Sequence, residues 1–429
     1  MVMFILPYRF NGTTNTTIGH LKGFLSHSLT SSLPLIAMLI IVFCSIATLW
    51  ILYFRPKKIE ESEFFSEMFL VTPFWLFSRL LGAVIAVMVY FKLGPEFVLR
   101  EDIGGTLLFH VAPRVLVLSL VLGFTTPLLL DFGLVEYIGT FMRPIMRPFF
   151  NLPGRSAIDC LASWVGNGEV AVLLTVEMHE EGHYSDREAA VMATTFSVIG
   201  IPYTYAVADL VGLSDRFGLL LFAIYFTLAL LAFIMPHVWP LCSIPETYSG
   251  KKGRHPLSEK IPHGYTLGRW SFLSAVYKAG QMSLKKYLHS VMHLSLSLLF
   301  CTLPLVIAWG ATLLILNELT PVFKLIEIPF ESLLNFAGVP EADQISTAIV
   351  LAFVDQFLGA VVGLQCETEA AKFFCAAISA TTLISMTETG GHIWHSRIPI
   401  GFGTLLWLYL VRTLLSLVVL IPLTLLFFE

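Results

Sequence analysis

The chain has 429 residues, 56% of them hydrophobic and only 13% charged, with a mean hydropathy of +0.78. A soluble domain carries about 25% charged residues, so this composition excludes an ordinary soluble enzyme and places the chain in a lipid bilayer. The net charge of -4, with 26 Lys+Arg spread along the chain, also argues against a nucleic-acid-binding surface.

The stretch before residue 33 is mixed and polar, and the first apolar run is too long for the core of a cleavable leader. Apolar runs then predict spanning helices at 33–54, 68–92, 106–130, 187–212, 217–239, 290–316, 368–394 and 399–427. Each is near or above the ~20 residues needed to cross a bilayer. Segments 131–150 and 318–340 contain prolines and scattered charge, and read as amphipathic helices lying in the interface. The six cysteines (Cys44, Cys160, Cys242, Cys301, Cys366 and Cys375) form no CxxC pair and no zinc spacing, and read as reduced packing residues.

Two more segments, 156–178 and 343–364, are long enough to cross, so length alone cannot classify them. Charge decides. Residues 240–289 carry Lys251, Lys252, Arg254, Lys260, Arg269, Lys278, Lys285 and Lys286, and the loop after the first helix carries Arg55, Lys57 and Lys58. Positively charged loops stay cytoplasmic. Both fall on one side only if 156–178 is a re-entrant hairpin, and 343–364 is its counterpart entering from the other side.

The expected organisation is therefore an N-terminal segment with two extra helices (1–105), a first repeat (106–239), a basic cytoplasmic loop (240–289) and a second, inverted repeat (290–429). The repeats correspond locally. Asn151-Leu152-Pro153-Gly154, a break at Gly166-Asn167-Gly168-Glu169, and Asp186-Arg187-Glu188-Ala189-Ala190 make the first. Gly338-Val339-Pro340, a break at Asp355-Gln356, and Glu367-Thr368-Glu369-Ala370-Ala371 make the second. Apolar segments interrupted at corresponding places in two halves point to the binding site of a secondary transporter.

An ionisable group in hydrocarbon costs roughly 2.5–3.5 kcal/mol on insertion scales, so it faces a cavity or a partner. Asp159, Glu169, Asp209, Asp355 and Glu388, with His110, Arg114 and His392, are such groups. At the first hairpin, Gly166 and Gly168 permit an unwound backbone while Asn167 and Glu169 supply donor, acceptor and charge. Asp355 and Gln356 do the same at the second, with Thr387 and Glu388 nearby. Thr194, Thr195 and Ser197 precede Gly200-Ile201-Pro202, where a proline frees helix carbonyls. These hydroxyls, with Ser385, form a candidate ion site for Na⁺ or H⁺. A simple kink whose hydroxyls bond backbone is the competing reading. Arg114 is expected to neutralise Asp159 or Asp131. No nucleophile elbow, phosphate loop or metal signature appears, so no enzyme activity, cofactor or metal is expected.

At these residues the chain resembles the nucleoside-recognition (Gate) domain membrane proteins, particularly the YjiH-like group, over roughly 110–215, with a more divergent copy at 325–395. The same elements resemble the concentrative nucleoside transporters. Gly166-Asn167-Gly168-Glu169 stands where that family has Gly-Gln-Thr-Glu, Asp355-Gln356-Phe357 where it has Asn-Glu-Phe, and Ser197 where it has a serine that helps hold Na⁺. The departures alter the base- and ribose-reading groups.

The sequence thus predicts an all-α polytopic protein of the bacterial inner membrane, with about eight transmembrane helices plus two re-entrant hairpins. It reads as a cation-coupled secondary transporter of a small polar solute (a nucleoside, amino acid or dipeptide), with homo-oligomerisation an open option. A non-transporting scaffold and a lipid-handling protein are the alternatives.

Overall fold

Apolar runs with few charges become the long helices, and prolines mark where several of them start. Leu33–Phe54 (α1) carries a proline in its first turn. It stops at Arg55, whose left-handed backbone (φ 41°) returns its N–H to the Ile51 carbonyl at 2.8 Å. Pro73–Phe91 (α2) also opens on proline. Ala112–Leu130 (α3) continues a wider π-helical stretch, Glu101–Val111. The computed structural model describes residues 8–10, 13–15, 32–165, 168–248, 264–319, 321–387 and 389–428.

The remaining helices follow in chain order: Leu134–Phe150 (α4), Ser156–Val165 (α5), Gly168–Glu180 (α6), Asp186–Val191 (α7), Ile201–Leu210 (α8), Phe217–Ile234 (α9), Leu267–Gly280 (α10), Leu284–Ser297 (α11), Leu303–Leu319 (α12), Pro321–Phe336 (α13), Ala342–Val354 (α14), Gln356–Val362 (α15), Glu369–Thr381 (α16), Thr389–His395 (α17) and Phe402–Phe428 (α18). A short antiparallel pair, Tyr8–Phe10 with Thr13–Asn15, precedes them.

Among the described residues, six helical stretches are long and apolar enough to cross a membrane: Leu33–Phe54, Pro73–Phe91, Glu101–Leu128, Ser214–His237, Leu284–Asn317 and Phe402–Phe428. The protein is a multi-pass membrane protein. The other two of the eight expected segments, 187–212 and 368–394, are interrupted. The first is split into α7 and α8, the second into α16 and α17. The two segments of ambiguous length form helical pairs, α5 against α6 and α14 against α15.

One expectation is corrected. The stretch 240–289 is not wholly a loop, because α10 forms within it and packs along α4, with Lys278 Nζ 3.5 Å from Glu136 Oε1. A hydroxyl cap starts α10: Thr266 Oγ1 accepts the Arg269 N–H.

In lipid there is little hydrophobic drive between helices, so close contact and buried polar bonds hold them together. A Cβ on Gly82 of α2 would stand 2.3 Å from the Pro304 carbonyl oxygen of α12, so only glycine allows that approach. Arg79 of α2 is buried and ties three places together. Its Nη1 donates to Thr48 Oγ1 of α1 at 2.8 Å and to the Met68 carbonyl at 2.9 Å, and Nη2 reaches Cys301 Sγ at 3.4 Å. The apolar interior is divided. A large cluster joins α1–α3, α8, α9, α12 and α14–α16, and a second gathers α5–α7, α17 and the first half of α18.

Candidate functional site

The two interrupted segments define the site. The α7 helix begins with a reciprocal cap, in which Ser185 Oγ accepts the Glu188 N–H (3.2 Å) and the Glu188 carboxylate accepts the Ser185 N–H (2.8 Å). It widens into a π turn over Met192–Phe196 and is not helical again until Ile201. Part of the freed backbone is claimed by neighbours. Ser163 Oγ of α5 donates to the Val198 carbonyl at 2.7 Å, and Tyr225 of α9 donates to the Trp164 and Ile199 carbonyls at 3.1 and 3.3 Å. The first helical pair seats against this break. A Cβ on Gly168 would lie 2.9 Å from the Ser197 carbonyl oxygen, so the α6 start reaches it only as glycine.

The second break mirrors the first. The α16 helix is capped by Thr368, whose Oγ1 accepts the Ala371 N–H, and it ends at Thr381. The chain then passes through Leu383 in the left-handed region (φ 57°), a strained backbone for a γ-branched residue and a feature that clusters at functional sites. It runs beside the α14–α15 turn, with the Met386 N–H on the Phe353 carbonyl (2.9 Å) and the Thr387 N–H on the Val354 carbonyl (3.0 Å). Thr389 Oγ1 donates to the Leu383 carbonyl at 2.5 Å.

Asp355 creates the turn. Its extended backbone ends α14, and its Oδ1 accepts the N–H groups of Phe357 (2.8 Å) and Leu358 (3.3 Å) to start α15. Its Oδ2 accepts Thr387 Oγ1 at 2.9 Å. Asp355 is therefore an N-cap with both oxygens engaged. Next to it, Ser379 of α16 donates to the Gln356 carbonyl.

Arg412, in the middle of α18, joins the two halves. Its Nε donates to the Thr381 carbonyl at 2.7 Å and its Nη1 to the Thr194 carbonyl at 3.3 Å. The guanidinium is fully buried and sits against the carbonyls loosened by both breaks. Positive charge at a helix C-terminus is favoured by the backbone dipoles.

Against this frame the expected residues divide. Asp355, Gln356, Ser385 and Thr387 come together at the second break, and Thr194, Thr195 and Ser197 line the first. Gly168 packs on the first break. Gly166, Asn167 and Glu388 lie outside the described residues, and so does the side chain of Glu169, whose backbone belongs to α6. Two of the four expected ion-site hydroxyls donate to backbone carbonyls. Thr194 Oγ1 donates to the Ala190 carbonyl at 2.7 Å and Ser197 Oγ to the Met192 carbonyl at 3.3 Å. The expected pairing of Arg114 with Asp159 or Asp131 gives way to a different one. Arg114 donates to the Leu210 carbonyl at the end of α8, while Asp159 accepts from the Tyr184 hydroxyl.

Four buried polar atoms at these breaks have no hydrogen-bond partner: Thr195 Oγ1, Gln356 Nε2, Ser385 Oγ and Arg412 Nη2. More than nine in ten buried polar groups are satisfied in folded proteins, so such a group is a lead to a ligand or water. Arg412 was missed by sequence reasoning. The signal was a lone charge, Arg412, in the largely apolar stretch from Leu405 to Leu425, where a charge is rare and functional by default.

The description "Gate: Nucleoside recognition" matches residues 112–214, which hold α3 through the first broken segment. An uncharacterized protein of Alkalihalophilus pseudofirmus is 35% identical over 429 residues, covering 100% of this chain and 92% of that protein. No solved structure matches the chain.

Proposed function

For a chain that carries a Gate domain and belongs to the same family as the Alkalihalophilus pseudofirmus protein, we propose a secondary transporter of a small polar organic solute. The observation that carries this reading is the pair of broken segments, each with a buried, unpartnered polar side chain at its break. Discontinuous helices at corresponding places in two halves are the usual form of a transporter site. In this reading α5–α6 and α14–α15 are re-entrant hairpins of an inverted repeat. Their tips, with Glu169 from one and Gln356 from the other, face a common solute near the bilayer midplane. Residues 240–289 face the cytoplasm of a bacterial cell, and transport is coupled to Na⁺ or H⁺ without catalysis. The saturated Asp355 is also what a closed scaffold would contain, but the unpartnered atoms beside it favour an occupied site.

A thermal-shift screen of the detergent-purified protein tests this. The ligands are nucleosides, amino acids, dipeptides and polyols, each in Na⁺ or K⁺. A ligand of the folded state at about 100 times its Kd adds about 2.7 kcal/mol of stability. The expected result is stabilisation that Glu169→Gln removes while leaving the fold intact. Full stabilisation retained in a folded Glu169→Gln variant would contradict the assignment of that residue.

A further inference from the structure

We propose that the solute bears a carboxylate and that Arg412 is its charge partner. The inference rests on the transporter reading and names the chemical class of the ligand at that same site.

Among the described residues, several acceptors at the two breaks are occupied from within the chain. Asp355 Oδ1 and Oδ2 receive three hydrogen bonds from within the chain, and the Gln356 carbonyl receives one from Ser379. The carbonyls of Thr194 and Thr381 receive the Arg412 guanidinium, and that of Val198 receives Ser163. Among the described residues, the buried polar atoms at the breaks without a partner are donors or can act as donors. Gln356 Nε2 and Arg412 Nη2 can only donate, and the hydroxyls of Thr195 and Ser385 donate freely. Spare donors at both breaks fit an acceptor-rich ligand.

Charge points the same way. Arg412 meets two backbone dipoles but no carboxylate among the described side chains. Helix-end dipoles amount to partial charges, so they orient the guanidinium without neutralising it. A buried guanidinium without a counter-ion is costly, and a carboxylate is its natural partner because the planar fork matches the two oxygens. With Nε and Nη1 fixed on the two broken helices, Nη2 is the donor presented to the ligand. Amino acids and dipeptides carry the required group, and neutral nucleosides do not.

Paired probes test this directly: succinate against succinamide, and alanylalanine and glutamate against their carboxamides, with uridine as the neutral nucleoside. Binding is read by thermal shift and by calorimetry on the intact protein. At least one carboxylate is expected to bind, and its amide to bind about 100-fold more weakly, as for loss of a buried charge partner. Arg412→Gln should weaken the carboxylate by a similar factor. If that variant fails to fold, the amide pairs and Gln356→Leu still decide, the latter with an expected loss of about tenfold for one neutral hydrogen bond. Uridine binding with no response to any carboxylate would overturn this inference and leave the transporter reading standing, Arg412 then being neutralised within the chain. A folded protein that responds to no solute in either screen would overturn both.

Discussion

Asp355 and Arg412 show how the same side chain can be read in two ways until its partners are known. Asp355 was legible as a polar interruption in an apolar segment, and its place at a turn between two helices agrees with that. Its chemistry was not legible, because a carboxylate that binds solute and one that caps a helix look alike in a sequence. The geometry makes it a cap, since its oxygens serve Phe357, Leu358 and Thr387. Asp355→Ala should therefore destabilise the protein by about 1–2 kcal/mol, the usual cost of a lost N-cap. Asp355→Asn, which keeps an acceptor for the two N–H groups, should cost less. Equilibrium unfolding in detergent measures both, and an Asp355→Ala variant as stable as wild type would refute the capping role. Arg412 hid for the opposite reason. A single charge in a long apolar helix disturbs hydropathy little, and its importance appears only when two distant carbonyls, Thr194 and Thr381, meet on it.

At the scale of elements, length and hydropathy located the six helices that are long and apolar enough to cross among the described residues, while two of the eight expected spans are broken. The cues for the breaks were glycine, proline and clustered hydroxyls, as at Gly200-Ile201-Pro202 and Ser385 to Gly391. The π turns at Met192–Phe196 and Leu298–Thr302 were not legible, because a one-residue widening of a helix leaves no periodic trace in a wholly apolar run. Nor was α10, whose Arg269 and Lys278 read as loop charge, although its other side docks on α4. The joint that positions the second helical pair is electrostatic. Glu341, in the left-handed conformation before α14, accepts the N–H groups of Glu367 and Thr368, both at 2.8 Å, and the Thr368 hydroxyl at 2.5 Å. Burial pushes its carboxyl up, but these hydrogen bonds outweigh it and hold the group below the usual glutamate value of 4.5. A carboxyl with a depressed folded-state value adds stability in full above the unfolded value and loses it as pH falls through the folded one. The joint should thus be intact at pH 7 and loosen as pH falls below the usual glutamate value. Hydrogen exchange of the Glu367 and Thr368 amides should accelerate there relative to Glu341→Gln, which lacks the titration. Equal pH profiles in the two proteins would exclude this role.

For the whole molecule, Arg412 of α18 ties the two broken segments together. The first half supplies Thr195 and the α6 start, the second supplies Gln356 and Ser385, and α18 bridges them with Arg412. Sequence patterning could find each half because breaks are local. It could not find the bridge, because Arg412 is 218 positions from Thr194. The most direct measurement is solute flux into proteoliposomes, using whichever solute stabilises the purified protein, in wild type and in Thr195→Val and Gln356→Leu. Uptake should be saturable, and either substitution, one from each half, should reduce it about tenfold or more, as expected for lost hydrogen bonds in a buried site. Uptake unchanged in both folded variants, or binding with no flux in wild type, would contradict the transporter reading.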